Sequence, residues 1–549
     1  MKLLKPAFYV ASALVITACG GGSGDSDTTS KEANNDAPQA SNVSIRYNTE
    51  KTLYTGSTLQ GMYSYSDNEE DAEGASQFRW LVDGEVKGTE QDYTIAKADA
   101  DKTIVFEVVP VAATGSQTGT AVQSTEVTAT LRQFVPFTAY ISENERTTLI
   151  TDGTEAGTFS VKDFNTAVAK EHIYYSIQFG DKWLMNLDTS FYGKTLAVTD
   201  GTIEGSQLVD GENLSQLNPY NFVVFKDKVF FTGTDSEGDS ELWVTDGTAE
   251  GTQLFLNISL GYLSGTTPNK GLPGNFTPIG DKMVFTAYTT RTGTEPWVTD
   301  GTVEGTHIIR DLSGDFYGSN TSYYFSFNGK AYFTYNSFLY TSDGTSEGTH
   351  ALMNSGPTNV SAHTLFKDKL VLVATDDGYN AGAGLWVSDG TAEGTTYLDS
   401  KTGGDRIYYI VATDDHVYYS TTSALYSYNE TEGVKLINGT HYSITELMVL
   451  NNQVFFNATD GEGYGLHTVE NNEIKLVKKP NNDSVNAQLV NIFTLNDEIF
   501  FNADDGIHGN ELWHSDGTET GTALLKDILG GSEPSHPSTC HLLSTICRR

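Results

Sequence analysis

The chain has 549 residues, enough for more than one domain with a substantial core. Its 71 acidic against 33 basic residues give a formal net charge of −38, which excludes simple electrostatic binding to nucleic acid and repels anionic lipid headgroups. Three cysteines, Cys19, Cys540 and Cys547, are too few for a disulfide scaffold, although the last two have the option of pairing in an oxidising compartment.

At the N-terminus, Met1 to Lys5 is a short basic stretch, and Ala7 to Ile16 is an apolar run too short to span a bilayer. It ends in Ile16-Thr17-Ala18-Cys19, followed by Gly20. This order of charge, apolar core, small residues and Cys resembles the lipobox of bacterial lipoproteins. The resemblance implies that residues 1–18 are a signal peptide and that Cys19 is lipidated. With Gly20 rather than Asp beside it, it also implies sorting to the outer membrane, on its periplasmic face or at the cell surface. An ordinary signal peptide cut after Ala18 would instead leave Cys19 as a free thiol. One acyl chain holds weakly, at about 0.8 kcal/mol per buried CH₂, whereas two or three hold stably. Residues 19–37 are Gly, Ser, Asp, Thr and Asn with almost no apolar side chains, and read as a flexible tether.

Residues 38–132 read as short strands separated by polar turns. Alternation is visible in Phe78-Arg-Trp-Leu-Val82, followed by the hairpin dipeptide Asp83-Gly84, then in Ile104 to Val109 and Thr125 to Thr130. A mid-strand Trp and this strand spacing resemble a bacterial immunoglobulin-like sandwich, here without the Cys pair of antibody domains. The acids Asp67, Glu69, Glu70, Asp71 and Glu73 are either oxygen ligands for Ca²⁺ or a charged hairpin loop.

From 133 to 549 a repeat dominates. Trp243-Val-Thr-Asp246-Gly-Thr-Ala-Glu-Gly-Thr252 recurs at Trp297 with Asp300, at Trp386 with Asp389, and at Trp513 with Asp516. Variants sit at Asp152, Asp200 and Asp343, and degenerate copies lie around Asn429 and Glu470, at intervals of roughly 40 to 54 residues. A period of this size with four strand signals per unit predicts a β-propeller of about eight to nine four-stranded blades, with a β-solenoid as the alternative. The motif explains itself without a ligand. Gly takes positive φ, Asp bonds the backbone just ahead, and Trp is a flat wedge between blades. Glu241-Leu-Trp-Val-Thr-Asp-Gly-Thr248 and Glu511-Leu-Trp-His-Ser-Asp-Gly-Thr518 resemble the bacterial repeat family named for that Glu-Leu-Trp-x-x-Asp-Gly-Thr signature, also labelled hyalin-like. The resemblance implies a secreted or surface protein and no general activity. The first copy lacks a first strand, which the C-terminal segment Cys540 to Ile546 is placed to supply, closing the ring.

The fold class read from sequence is thus all-β, an Ig-like sandwich followed by a propeller. The loop acids Asp235, Asp239 and Glu241, and Asp504, Asp505 and Glu511, are reasonable Ca²⁺ ligands or solvated turns; neither set has EF-hand spacing. The eleven His show no zinc spacing, and no nucleophile elbow or phosphate-binding loop is present. No catalytic residue is assigned. The expected function is non-enzymatic: a membrane-anchored surface lipoprotein whose propeller recognises polysaccharide or an envelope protein. Two alternatives stand beside it, a carbohydrate-active enzyme with paired carboxylates in the funnel and an outer-membrane assembly scaffold.

Overall fold

The computed structural model describes residues 35–48, 52–160, 171–189, 193–209, 217–234, 238–259, 262–264, 267–353, 355–376, 383–399, 406–421, 424–437, 443–459, 463–481 and 489–538. Cys19, Asp235, Cys540 and Cys547 lie outside them. The chain divides into two compact units, Met1–Leu131 and Arg132–Arg549. No helix among the described residues is long and apolar enough to cross a membrane.

The first unit is two antiparallel sheets around one core. Gln39–Arg46, Thr58–Ser66 and Asp92–Thr94 form one sheet; Glu85–Gly88, Gln77–Val82, Thr103–Val109, Val122–Gln123 and Val127–Thr128 form the other. Period-2 alternation turns Trp80 and Val82 inward, where they meet Phe106 and Ile104 of the same sheet and Leu59 of the other. Trp80 is fully buried between Phe106 and Tyr93, and its indole N–H donates to the Glu90 carbonyl at 3.1 Å. Asp83 and Gly84 both have positive φ, as a two-residue hairpin turn with strand-matching twist requires. The Phe106 ring lies so close to Gly61 that any Cβ there would sit 2.2 Å from it.

The second unit is a β-propeller. Among the described residues nine blade sheets follow one another, at 135–160, 171–208, 220–256, 274–308, 322–351, 357–399, 409–437, 443–478 and 490–526, with a two-stranded ribbon at 262–264 and 267–268 between the third and fourth. The first has three strands and the other eight have four, each an up-and-down meander; the fifth and sixth also share one pair, Phe338 with Thr358. Second and third strands are continuous apolar runs because both faces of a blade are covered by neighbours. Each junction has its own apolar core. Between blades two and three, for example, Leu184, Leu196 and Val198 pack against Phe222, Phe231 and Trp243. Equivalent cores join every consecutive pair.

The ring closes. Val135, Phe137, Ala139 and Leu149 of blade one share a core with Leu495, Phe500, Leu512 and Leu525 of blade nine. The first blade's missing strand place is taken by residues 535–538, just before the segment expected from sequence. Thr138 and Ser538 exchange backbone hydrogen bonds at 2.9 and 2.8 Å, and the Tyr140 N–H donates to Ser535 O at 2.8 Å. The expected segment, 540–546, lies outside the described residues. Pro537 is held as the corresponding residues of other blades are: its carbonyl accepts from Asn502 Nδ2, as Pro219 O accepts from Asn186 and Leu489 O from Asn457.

Phe500 is fully buried at this seam and stacks on Phe493 at 5.3 Å. Phe500→Ala is expected to cost about 3–5 kcal/mol, the range for truncating a buried aromatic. Urea denaturation followed by tryptophan fluorescence reads that loss, and an unchanged midpoint would mean that the seam core contributes nothing to the fold.

Candidate functional site

An up-and-down blade sends its loops to two faces. The first-to-second hairpins and third-to-fourth loops lie on one face, here the motif face. The second-to-third loops and the blade-to-blade links lie on the other, here the connector face.

On the motif face the repeat builds the same knot seven times. In blade three, Asp246 Oδ1 accepts from the Thr248 N–H at 2.9 Å and its hydroxyl at 2.7 Å. Thr248 Oγ1 accepts from the Gly251 N–H at 3.0 Å, and Thr252 Oγ1 donates to Thr248 O at 2.6 Å. The Thr245 and Thr252 hydroxyls close the base of the loop at 2.7 Å, and Thr245 also accepts the Gly247 N–H. These donors, the Thr248 hydroxyl first, hold the Asp246 carboxyl below its ordinary range, and Asp300 and Asp389 are lowered by the matching Thr302 and Thr391. Asp516 makes the same bonds to Thr518. Gly247 has φ +89°, while a Cβ on Gly251 would lie 2.0 Å from Asp246 Oδ1, so both glycines are obligatory for different reasons. Trp243, Trp386 and Trp513 are buried against the preceding blade and Trp297 is half-buried in the same place. The degenerate blades dispense with the knot. Blade eight turns on Asn471 and Asn472, both at positive φ, and the buried His467, stacked on Phe456, takes the place of the Trp. Blade seven puts Tyr426 there, stacked on Tyr419.

The acids of the connector face are also committed to the framework. Glu241 is buried and accepts the N–H groups of Ile258 at 2.7 Å, Ser259 at 3.3 Å and Gly271 at 2.8 Å, which ties the link to blade four onto blade three. Burial pushes its carboxyl up to about 7, and the amide donors only partly offset this. Glu295 clamps Leu312 and Ser313 in the same way, and Glu511 accepts the N–H groups of Ile528 and Ser535 and the Ser535 hydroxyl. Asp504 accepts the Gly506 N–H; Asp505 accepts those of Ile507 and His508 and faces the His508 ring at 2.7 Å. Asp239 Oδ2 accepts from Asn257 Nδ2 at 3.3 Å. Of the six acids expected to bind Ca²⁺, Asp235 lies outside the described residues and the other five each hold framework donors, Glu241 three backbone N–H groups and Glu511 two with the Ser535 hydroxyl. In the first unit, Asp67 Oδ1 accepts the Glu69 and Asp71 amides, Glu69 accepts the Asp36 N–H, and Asp71 accepts from Asn35 and Thr114. No three Asp, Glu, His or Cys side chains among the described residues are arranged to hold a metal ion.

Among the described residues the connector face also presents aromatic and cationic side chains. The link between blades four and five carries Phe316 and Tyr317, 61% and 73% exposed, with ring centroids 4.2 Å apart. That link is docked firmly: Gly318 lies against Gly293, the Ser319 N–H donates to Thr294 O at 2.9 Å, and Glu295 grips its start. The exposed Tyr408, at the start of blade seven, has the Arg406 guanidinium 5.3 Å from its ring. At the junction of blades one and two, Arg146 lies over Tyr140 and Lys194 over Tyr174. The motif face has a cleft of about 530 Å³ between the knots of blades two and three, lined by Lys182, Asp200, Gln207 and Glu250 among others. Sequence reading missed the aromatic and cationic group, because no motif marks it and blade links vary in length.

No protein-family profile matches the chain, and no curated protein matches it. Solved structures do. A quinonprotein alcohol dehydrogenase-like protein from Bacteroides thetaiotaomicron is 12% identical with a TM-score of 0.30, over 77% of this chain and 92% of that one. BamB from Moraxella catarrhalis is 12% identical with a TM-score of 0.33, over 60% and 94%. An oligogalacturonate lyase from Vibrio parahaemolyticus is 11% identical with a TM-score of 0.33, over 63% and 98%.

Two predictions test the framework roles. Gly521→Ala places a Cβ 1.9 Å from Asp516 Oδ1 and is expected to cost about 1–3 kcal/mol. In the Asp516→Ala background the same change should cost clearly less, and additive losses in the double-mutant cycle would refute the packing account. His363 stacks on Phe325 at 4.2 Å and shares a 3.0 Å hydrogen bond with Tyr323; burial pushes its pKa down to about 4 from 6.5. The native state therefore binds fewer protons than the unfolded state between these values. Stability from this site is complete above pH 6.5 and falls as pH drops towards 4, by at most about 3 kcal/mol. Replacing His363 by Phe should remove that part of the acid dependence in denaturation measured at pH 7 and pH 4.5.

Proposed function

We propose that this chain is a lipid-anchored binding protein of a bacterial outer membrane, whose propeller recognises polysaccharide through its connector face. The N-terminal segment supports the anchor: basic start, apolar run, Ile16-Thr17-Ala18-Cys19 and then Gly20, with acyl chains on Cys19 in place of a spanning helix. In sequence order the first unit, an immunoglobulin-like module on this reading, stands between tether and propeller as a spacer. The propeller is assigned to the Glu-Leu-Trp-x-x-Asp-Gly-Thr repeat family on the copies ending at Thr248 and Thr518.

The observation that carries the binding reading is the Phe316 and Tyr317 pair. Two large aromatic side chains more than half exposed, on a link held by Glu295 and by the Gly293–Gly318 contact, lose hydration at little cost in ordering when a flat apolar surface covers them. The C–H face of a pyranose ring is such a surface, and its hydroxyls can use the polar groups around the pair. Glu241, Glu295 and Glu511 are buried in clamps and are not paired across a cleft as the carboxylates of a glycoside hydrolase are.

The test is a panel of neutral and acidic polysaccharides offered to the full chain in detergent, with Ca²⁺ and with chelator, scoring retention and released reducing ends together. Retention without release is expected. Phe316→Ala with Tyr317→Ala should weaken it roughly thirtyfold at unchanged thermal stability, each stacked ring supplying on the order of 1 kcal/mol. Release of sugar would replace the binding reading by an enzymatic one, and no retention on any polymer would leave a protein partner.

A further inference from the structure

The junction of blades one and two gathers cationic and aromatic side chains from four strands. Tyr140 and Arg146 belong to the strands Val135–Ser142 and Glu145–Thr151, and His172 and Tyr174 to Glu171–Phe179. Lys194 lies in the neighbouring Gly193–Thr199. By the meander's direction, the end of the second strand and the starts of the first and third meet on the connector face. The ring of Tyr140 lies 5.6 Å from the Arg146 guanidinium carbon, and that of Tyr174 lies 3.9 Å from Lys194 Nζ and 4.5 Å from the His172 ring.

Three features set this group apart. Neither Arg146 nor Lys194 makes an ion pair among the described residues, although acids outnumber bases by 71 to 33 in the chain. Arg146 Nε and His172 Nδ1 are both enclosed and both without a hydrogen-bond partner, and an unsatisfied donor of this kind costs roughly 1–3 kcal/mol. The positive charges are also close enough to act on one another: Arg146 and Lys194 both disfavour protonation of His172, against which burial works first, while Asp188 is the acid that opposes them. Asp188 stands opposite both His172 and Lys194 in the sheet and offsets one of the two cations, so the group keeps one positive charge and two unpartnered nitrogens, walled by aromatic faces, as a cradle for a planar or tetrahedral anion.

We propose that Arg146, Lys194 and His172 form a subsite for the carboxylate or sulfate of an acidic sugar unit, with Tyr140 and Tyr174 as its walls. It rests on the polysaccharide reading for the sugar but not for the anion. Arg146 receives the anion through its guanidinium edge and Lys194 acts as a point charge. Neutral His172 donates or accepts according to tautomer. The chain's overall negative charge does not defeat such a site at physiological salt, where fields are screened beyond about 8 Å while contacts inside the cluster are not.

The experiment compares polygalacturonate, its methyl ester and a neutral glucan on the full chain, with melting in inorganic sulfate against chloride at equal ionic strength. The variants are Arg146→Gln, Lys194→Met and the charge-retaining Arg146→Lys. Two substitutions on different strands guard against a folding defect in either one. The expected result is retention of the acidic polymer in preference to its ester, lost about tenfold in each neutralising variant and partly kept in Arg146→Lys. Sulfate should raise the melting temperature of the unmodified chain more than that of the variants. Equal retention of ester and acid, unchanged in the variants, overturns the subsite and leaves the polysaccharide reading intact. If no polymer is retained but the sulfate effect is present and lost in the variants, the anion subsite stands and the polysaccharide reading falls. If the sulfate effect is absent as well, both fall.

Discussion

Everything in the larger unit depends on the fact that a blade cannot bury its faces alone. Each sheet is apolar on both sides, so each needs a neighbour on both sides, and only a closed ring supplies them without leaving an edge blade exposed. The seam between blades nine and one is therefore the constraint from which the rest follows. It is met twice over. Side chains of Val135, Phe137 and Leu149 interlock with Leu495, Phe500 and Leu525, and the backbone of Ser535–Ser538 takes the empty first-strand place beside Thr138. Glu511 serves the seam as Glu241 serves an ordinary blade link, by gathering the N–H groups of the incoming segment around a buried carboxylate.

The same demand explains where the repeat is strict and where it relaxes. The knot of Asp, Gly and Thr turns the chain between third and fourth strands in a fixed space, with Gly153, Gly344 and Gly517 lying against the preceding blade at Phe500, Val298 and Phe455. Where two Asn residues at positive φ make a shorter turn, as in blade eight, the knot is unnecessary and the sequence loses it. The wedge survives longer than the knot, because a gap between blades is costlier than a different turn. His467 and Tyr426 keep a ring in the position that Trp243 holds elsewhere.

Much of this is legible in the sequence. Trp80 in its alternating strand, Asp83-Gly84 as a turn, the period of the repeat and the strandless start of the first copy all follow from local rules that tertiary context did not overrule. The acids were harder. Asp239, Glu241, Asp504 and Glu511 are spaced like oxygen ligands in the sequence, and only the fold shows Glu241 and Glu511 receiving amides from segments 17 to 30 residues away. A buried carboxylate that accepts three backbone donors and an exposed one that binds a cation share one sequence signature. The aromatic and cationic groups of the connector face carry no signature at all, since Arg146, His172 and Lys194 are brought together from different strands of two blades.

A division of labour between the faces follows from this. The motif face spends its polar groups on itself: each motif Asp bonds its own loop, and a side chain already satisfied by Thr248 or Thr518 has little to offer a partner. The connector face holds its links from beneath, through Glu241, Glu295 and Glu511, and so leaves their outer sides free to vary without loss of the fold. Phe316 and Tyr317 stand on one such link, and Arg146 and Lys194 stand near the connector-face ends of their strands. A rigid ring with strictly repeated turns on one side can afford dissimilar loops on the other. Recognition is expected where repetition ends, because nine identical surfaces would offer a ligand no reason to choose one blade over the next.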